Sequence, residues 1–408
     1  MRKRMFLLIA QIFLLILMTG CYHDSGAPPV SRFEQSYDQL HLIEREKNVQ
    51  KPEPVTAAWI PYFTVSELVK SSDPAQIASD IEAYLQSLAD MGINTVFVHV
   101  CAFGESSYPS AYYPVLPPAD RIDTIEIFRT CCEAIGLSFH AWINPLRLQT
   151  KEYMDAQPEG SLLQSWYRDP QQRKEKLSEW DGRYYLNPAA ESTGAFLSDV
   201  ITELITKYHP DGIHIDDYFY PTAEAAFDAE EFRQSGADDL PEWRRSNITK
   251  LVRQLYAAAH AADSEIIFSI SPQGNLNENQ NKQFADVPAW IQEAQTCDWI
   301  IPQLYFGYDH EKLPFDQLLR EWADLPRNQN VRLMIGLAAY KVGEADSFAG
   351  SGSDEWQKSE GLLARQTADA GRYPEISGIA LYHADALRSL PDSEQQALQN
   401  VLSAIRST

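Results

Sequence analysis

Short apolar runs alternate with longer amphipathic stretches from about residue 55 to the end of this chain. The short runs, at 59–63, 95–101, 138–144, 212–216, 266–271, 299–305, 331–340 and 377–383, are rich in Ile, Val, Phe and Trp and predict strands. Helices are predicted after Asp73-Pro74 and near 123–135, 191–208, 241–262, 287–296, 315–325, 355–370 and 393–405. The first of them shows the signals clearly. Asp73 and Pro74 suit the cap and first turn, Ile77, Ile81, Leu85 and Leu88 share one face, and Gly92 stands just past the end. Eight strand–helix pairs predict a closed parallel (β/α)8 TIM barrel. A doubly wound open sheet would carry a glycine fingerprint after its first strand, and none is present.

Strand alternation then sorts the faces. In 212–216, Ile213 and Ile215 point one way while His214 and Asp216 point the other, with Asp217 on the rim. Other strands gather polar residues in the same manner: His99 with Cys101, His140 with Asn144, and Gln303 with Tyr305. Gln273 and Asn275 follow the fifth strand, Tyr340-Lys341 end the seventh, and His383 ends the eighth. Barrel interiors are filled mainly by bulky apolar side chains, so polar inward positions near the carboxyl ends mark a catalytic mouth. For each histidine a satisfied structural network is an equal alternative. A strand-end carboxylate such as Asp216 is costly to bury unless it works.

Composition narrows the chemistry. A net charge of −23 over 408 residues argues against nucleic acid as a partner. Of five cysteines, Cys101, Cys131, Cys132 and Cys297 lack zinc spacing, and the 131–132 pair reads as helix packing. Neither a phosphate loop nor a Gly-x-Ser-x-Gly elbow occurs, so no cofactor or metal is predicted. The aromatic residues Trp142, Trp166, Trp180, Tyr184, Tyr185, Tyr218, Tyr220, Tyr305 and Tyr308 lie on or beside the carboxyl-end loops. Aromatic faces and paired carboxylates together suit binding and cleavage of sugars.

The N-terminus reads as an export signal. Arg2-Lys3-Arg4 precede an apolar run to Met18, then Thr19-Gly20-Cys21. That run is too short for a retained span, and small residues before one cysteine resemble a lipobox. The predicted organisation is a lipoprotein signal peptide at 1–20, a flexible tether at 21–53 beginning with acylated Cys21, and the barrel at 54–408. Such a protein would be exported and held on the outer face of a bacterial membrane, or in a periplasm.

Several runs resemble the bacterial glycosyl-hydrolase-like family 10. They are Phe139-His140-Ala141-Trp142-Ile143-Asn144-Pro145-Leu146-Arg147, Tyr185-Leu186-Asn187-Pro188 and Asp211-Gly212-Ile213-His214-Ile215-Asp216-Asp217-Tyr218. Ile270-Ser271-Pro272-Gln273-Gly274-Asn275, Pro302-Gln303-Leu304-Tyr305-Phe306-Gly307 and Gly336-Leu337-Ala338-Ala339-Tyr340-Lys341 continue it in order. The resemblance implies a (β/α)8 barrel and glycoside hydrolase activity on an extracytoplasmic glycan, with some relatives linked to peptidoglycan strands. One departure stands out: Val100-Cys101-Ala102-Phe103-Gly104-Glu105 has a thiol where the family has an inward arginine, and Glu for its Asp.

On this basis Asp216 is the expected nucleophile or general base, Asp217 its orienting partner or a substrate-binding group, and Glu105 the candidate acid. His99, His140, Trp142, Asn144, Arg147, His214, Tyr218, Gln273, Asn275, Gln303, Tyr305, Tyr340 and Lys341 are the expected substrate-binding or carboxylate-fixing groups. The contrasting expectation is a non-catalytic glycan-binding lipoprotein on a decayed hydrolase barrel. An import-type solute-binding protein fits less well, because two hinged lobes would not repeat one unit eight times.

Overall fold

The computed structural model describes residues 54–406, so the predicted signal peptide, Cys21 and the tether lie outside the described residues. Eight parallel strands form the barrel: β1 Val55–Ile60, β2 Thr95–Ala102, β3 Ser138–Ile143, β4 Gly212–Ile215, β5 Ile267–Ile270, β6 Trp299–Ile300, β7 Arg332–Ala338 and β8 Ile376–Tyr382. Each pairs with its neighbours in sequence, and β1 closes the ring by pairing with both β2 and β8. The main helices are α1 Pro74–Asp90, α2 Thr124–Ile135, α3 Glu191–Tyr208, α4 Leu240–Ala262, α5 Val287–Gln292, α6 Phe315–Asp324, α7 Leu362–Ala370 and α8 Asp392–Arg406.

The local reasons are those of ordinary capping. Asp73 accepts from Ala75 N–H at 3.0 Å, Pro74 takes the first helical position, and α1 buries Ile77, Ile81, Leu85 and Leu88. Alternation divides the strands into two cores. Ile, Val and Leu side chains such as Val98, Ile213, Ile215, Ile335 and Leu381 pack outward beneath the helices. Ala57, Trp59, Phe97, Trp142, Trp299, Met334 and Ala380 fill the interior.

Four predicted elements differ. The first strand runs earlier, because Pro61 ends it and residues 62–63 enter the helix Tyr62–Leu68. The sixth is regular only over Trp299–Ile300, since Pro302 has no N–H to give the ladder. Single bonds from Ile301 N to Ile270 O and Gln303 N to Pro272 O still carry that strand to the mouth. The predicted helix at 355–370 breaks into Glu355–Lys358 and α7, with Gly361 at φ +69° between them. Finally, the long loop after β3 builds its own antiparallel sheet from Arg147–Thr150, Leu177–Trp180 and Arg183–Leu186.

Cys101 does not face the interior. The β2–β3 register shifts between His99 and Cys101, so one extra residue flips the faces beyond it. Its Sγ lies 3.9 Å from the Tyr108 hydroxyl within the outer core, and Tyr108 donates to Glu203 of α3 at 2.9 Å. The thiol at this position therefore packs in the outer core and not at the mouth.

Candidate active site

Asp216 follows β4 directly and points inward, as the buried outward pair Ile213 and Ile215 requires. Its carboxyl is 3% exposed. Oδ2 accepts from Trp142 Nε1–H at 3.0 Å and from the Asn144 amide, and Oδ1 accepts from the Tyr218 backbone N–H at 3.3 Å. Burial pushes the Asp216 carboxyl well above the usual range, and the neighbouring Asp217 charge adds to the rise. The three hydrogen bonds oppose it without cancelling it.

Asp217 meets a different environment. Three glutamine amides converge on its half-buried carboxylate: Gln303 at 3.0 Å on Oδ1, with Gln273 and Gln283 on Oδ2, the latter at 3.3 Å. Gln303 also donates to Ser271 O at 3.0 Å, which fixes the amide between β5 and β6. Neutral donors in this number stabilise an anion without bringing a counter-charge. Two adjacent carboxyls are thus held by separate donor sets.

Beneath Asp216 lies a buried layer of histidines. His140 and His214 are fully buried, so neither reaches open space as a substrate ligand would, which corrects the expectation for both. His214 Nε2 accepts from Trp59 Nε1–H at 2.9 Å, which leaves Nδ1–H to donate to Ser269 Oγ at 2.8 Å. His140 makes no hydrogen bond through either nitrogen and stacks on Trp299 with centroids 5.0 Å apart. The residue opposite must be glycine: a Cβ on Gly212 would stand 2.1 Å from His140 Nδ1. Burial pushes His140 down to about 3, and His214 well below the usual imidazole value. His99 stacks on Trp142 at 3.7 Å and shares its Nε2–H with Asn144 Oδ1 at 3.2 Å, so it positions Asn144 rather than substrate.

Above the carboxyls the mouth is aromatic. Tyr218 and Tyr340 are open at 38% and 39%. Tyr305 stacks against Tyr382 at 5.7 Å, and Phe103 meets Tyr62 and Tyr218 edge to face. Arg147 reaches in from the small sheet, between the rings of Phe103 at 4.7 Å and Tyr218 at 4.8 Å. Sequence reasoning missed Tyr62, Phe63, Phe103, Tyr382 and Gln283. Tyr382 alone had a usable signal, since it shares the inward alternation of Ala380.

Three expected site residues are otherwise engaged. Glu105 accepts from Gln149 and Gln157, each at 2.9 Å, within the excursions beyond β2 and β3, and shares no hydrogen-bond partner with Asp216 or Asp217. Burial raises its carboxyl. Asn275 caps the helix Leu276–Asn281 by accepting from Asn277 N–H at 3.0 Å. Lys341 donates to Tyr305 O at 2.7 Å and to the buried Asp346 at 2.5 Å, fixing a loop. A groove of about 610 Å3 opens between Asn187, Glu231 and Trp243. None of the three carboxylates lines it, so the chemistry is read from the strand ends instead.

Known proteins resemble the chain in sequence and in fold. The family model described as glycosyl hydrolase-like 10 matches residues 55–352. The glycosyl hydrolase DigH of Escherichia coli K12 is 26% identical over 389 residues, spanning 85% of this chain and 86% of the relative. The glycosyl hydrolase YngK of Bacillus subtilis is 28% identical over 328 residues, spanning 72% and 62%. Among solved structures, the endo-1,4-beta-mannanase of Rhizomucor miehei superposes with a TM-score of 0.51 at 11% identity, covering 89% of this chain and 97% of that one, a likeness of fold alone. With the match running through every barrel strand from β1 to β7, the chain belongs to the glycosyl hydrolase-like 10 family.

Proposed function

We propose that the protein is a glycoside hydrolase in which Asp216 and Asp217 are the reacting carboxyls. Glycosidic cleavage needs one group to protonate the leaving oxygen and another to attack carbon or activate water. The observation that carries the assignment is the split environment of the pair. Asp216, buried and pushed up, suits the proton donor, and Asp217, oriented by three amide donors at the mouth, suits the nucleophile or base. Glu105, the acid expected from the motif, is left out of this scheme because both of its carboxyl oxygens are taken by Gln149 and Gln157.

The substrate we propose is an extracytoplasmic glycan, with peptide-free peptidoglycan strands as the first candidate. The export signal and the lipobox-like Thr19-Gly20-Cys21 support an outer-face, lipid-anchored location, and the aromatic mouth supports sugar binding. The test is release of reducing ends from such strands by wild-type protein and by Asp216→Asn. Equal release would remove Asp216 from the chemistry, whereas binding without any release by wild type would mark a glycan-binding protein.

A further inference from the structure

Arg147 and Arg183 break the charge pattern of the molecule. In a chain of net charge −23, neither guanidinium forms an ion pair within 4.0 Å among the described residues. They sit on adjacent antiparallel strands, Arg147–Thr150 and Arg183–Leu186. Burial lowers the Arg183 guanidinium below its ordinary value, and the Arg147 charge lowers it further. Like charges brought together without a counter-ion cost free energy. A bound anion would relieve that cost.

The geometry of Arg147 adds direction. Its fork is clamped between the rings of Phe103 and Tyr218, which fixes the plane of the guanidinium before any ligand arrives. Its Nε–H is buried with no acceptor. The clamp is tied to the chemistry, because the Tyr218 backbone N–H donates to Asp216 Oδ1 at 3.3 Å. Arg183 donates to Leu148 O at 2.8 Å, so it braces the strand carrying Arg147.

We propose that Arg147, with Arg183 adding to the positive field, binds a carboxylate carried by a sugar residue beside the scissile bond, so that the site selects acidic glycans. This deepens the proposed hydrolase reading and rests on it for the identity of the ligand as a sugar. A planar, rigid, unpaired guanidinium matches a carboxylate by two parallel N–H···O bonds, which a neutral hydroxyl cannot reproduce.

Peptide-free peptidoglycan strands are the probe, since each muramyl residue bears a free lactyl carboxylate. The matched control is the same strands after carbodiimide activation and borohydride reduction of those carboxylates to alcohols. Binding is measured with Asp216→Asn protein so that cleavage does not interfere. The expected result is about tenfold weaker binding of the reduced strands, with Arg147→Met lowering affinity for native strands to that level and Arg147→Lys retaining part of it. Equal affinity for native and reduced strands, including no binding of either, overturns the proposal, as does a preference that survives Arg147→Met. The native-against-reduced comparison uses intact Arg147, so a misfolded Arg147→Met cannot shelter the idea. Wild-type turnover reports separately: cleavage that ignores carboxyl reduction sinks the arginine proposal and keeps the hydrolase. Binding through Arg147 without cleavage does the reverse.

Discussion

His140 and Asn144 stand four residues apart at the same inward-facing side of one chain segment, yet they live in different solvents. His140 is sealed among Phe97, Trp299 and the bare backbone of Gly212, with neither nitrogen bonded. Asn144 joins His99, the Phe103 amide and Asp216 into one network that opens on the aromatic rim. The lower layer is polar in name only: burial holds His140 neutral, down to about 3. In the upper layer burial acts on a carboxyl with the opposite sign, raising Asp216 and favouring its protonated form. Polar residues on an inward face therefore do not identify a mouth by themselves; depth along the strand decides what each one does.

The largest effect that would break this contrast lies in activity. Asp216→Asn and Asp217→Asn are each expected to lower reducing-end release by about 10³-fold or more, as loss of an acid–base or nucleophilic group does. Glu105→Gln is expected to retain most of it. A Glu105→Gln protein as dead as Asp216→Asn would return Glu105 to the reaction and undo the separation of the two carboxylate sites.

A smaller loss, about 10- to 100-fold, is expected for Gln303→Leu, on the scale of one hydrogen bond to a charged group. This change removes the 3.0 Å donor from Asp217 while leaving Asp216 and its partners in place. It should appear in kcat with KM little changed, because the lost donor holds the reacting carboxyl and not the sugar. An unchanged kcat would show that the glutamines hold the loop and not the reacting carboxyl.

Much of this arrangement was legible beforehand. Eight repeats of apolar run and amphipathic helix announced the barrel, and Ile213 and Ile215 were enough to aim Asp216 inward. What could not be read was anything that depends on register or on distant loops. One extra residue in β2 turned Cys101 outward, and no periodicity announces a bulge. Asn275 and Lys341 matched family motifs and Glu105 stood at a motif position, but hydrogen bonds to residues far along the chain or local caps had already claimed them. The histidines were ambiguous because alternation reports face and not depth.

The lower layer gives the third prediction. His140→Leu removes a buried imidazole that makes no hydrogen bond, so near pH 7 its Tm should stay close to wild type. The folded value is depressed from 6.5 to about 3, so wild-type stability is fully present above about pH 6.5 and is lost as pH falls toward 3. The variant escapes that loss. At pH 5 it should be more stable than wild type by about 2 kcal/mol, from 1.36 kcal/mol per unit below 6.5. Thermal melts across pH 4.5–7.5 read it directly, and parallel curves for the two proteins would mean that His140 is not held neutral.

The smallest effect is the mirror image, in the upper layer. Asp216 has a raised folded value, so its contribution favours the folded state below the unfolded carboxyl range and is lost as pH rises through the folded value. Asp216→Asn keeps an oxygen for Trp142 and Asn144 and carries no charge to desolvate, so its Tm should exceed that of wild type at pH 8 and converge with it near pH 4. The net gain is modest, because three hydrogen bonds to the carboxylate already offset part of the burial cost in wild type. Adding Asp217→Asn should shrink it further, since the neighbouring charge is the second cause of the rise. A Tm difference that is negative at alkaline pH, or indifferent to residue 217, would mean that Asp216 rests as a satisfied anion, and the proton donor would have to be sought elsewhere in the mouth.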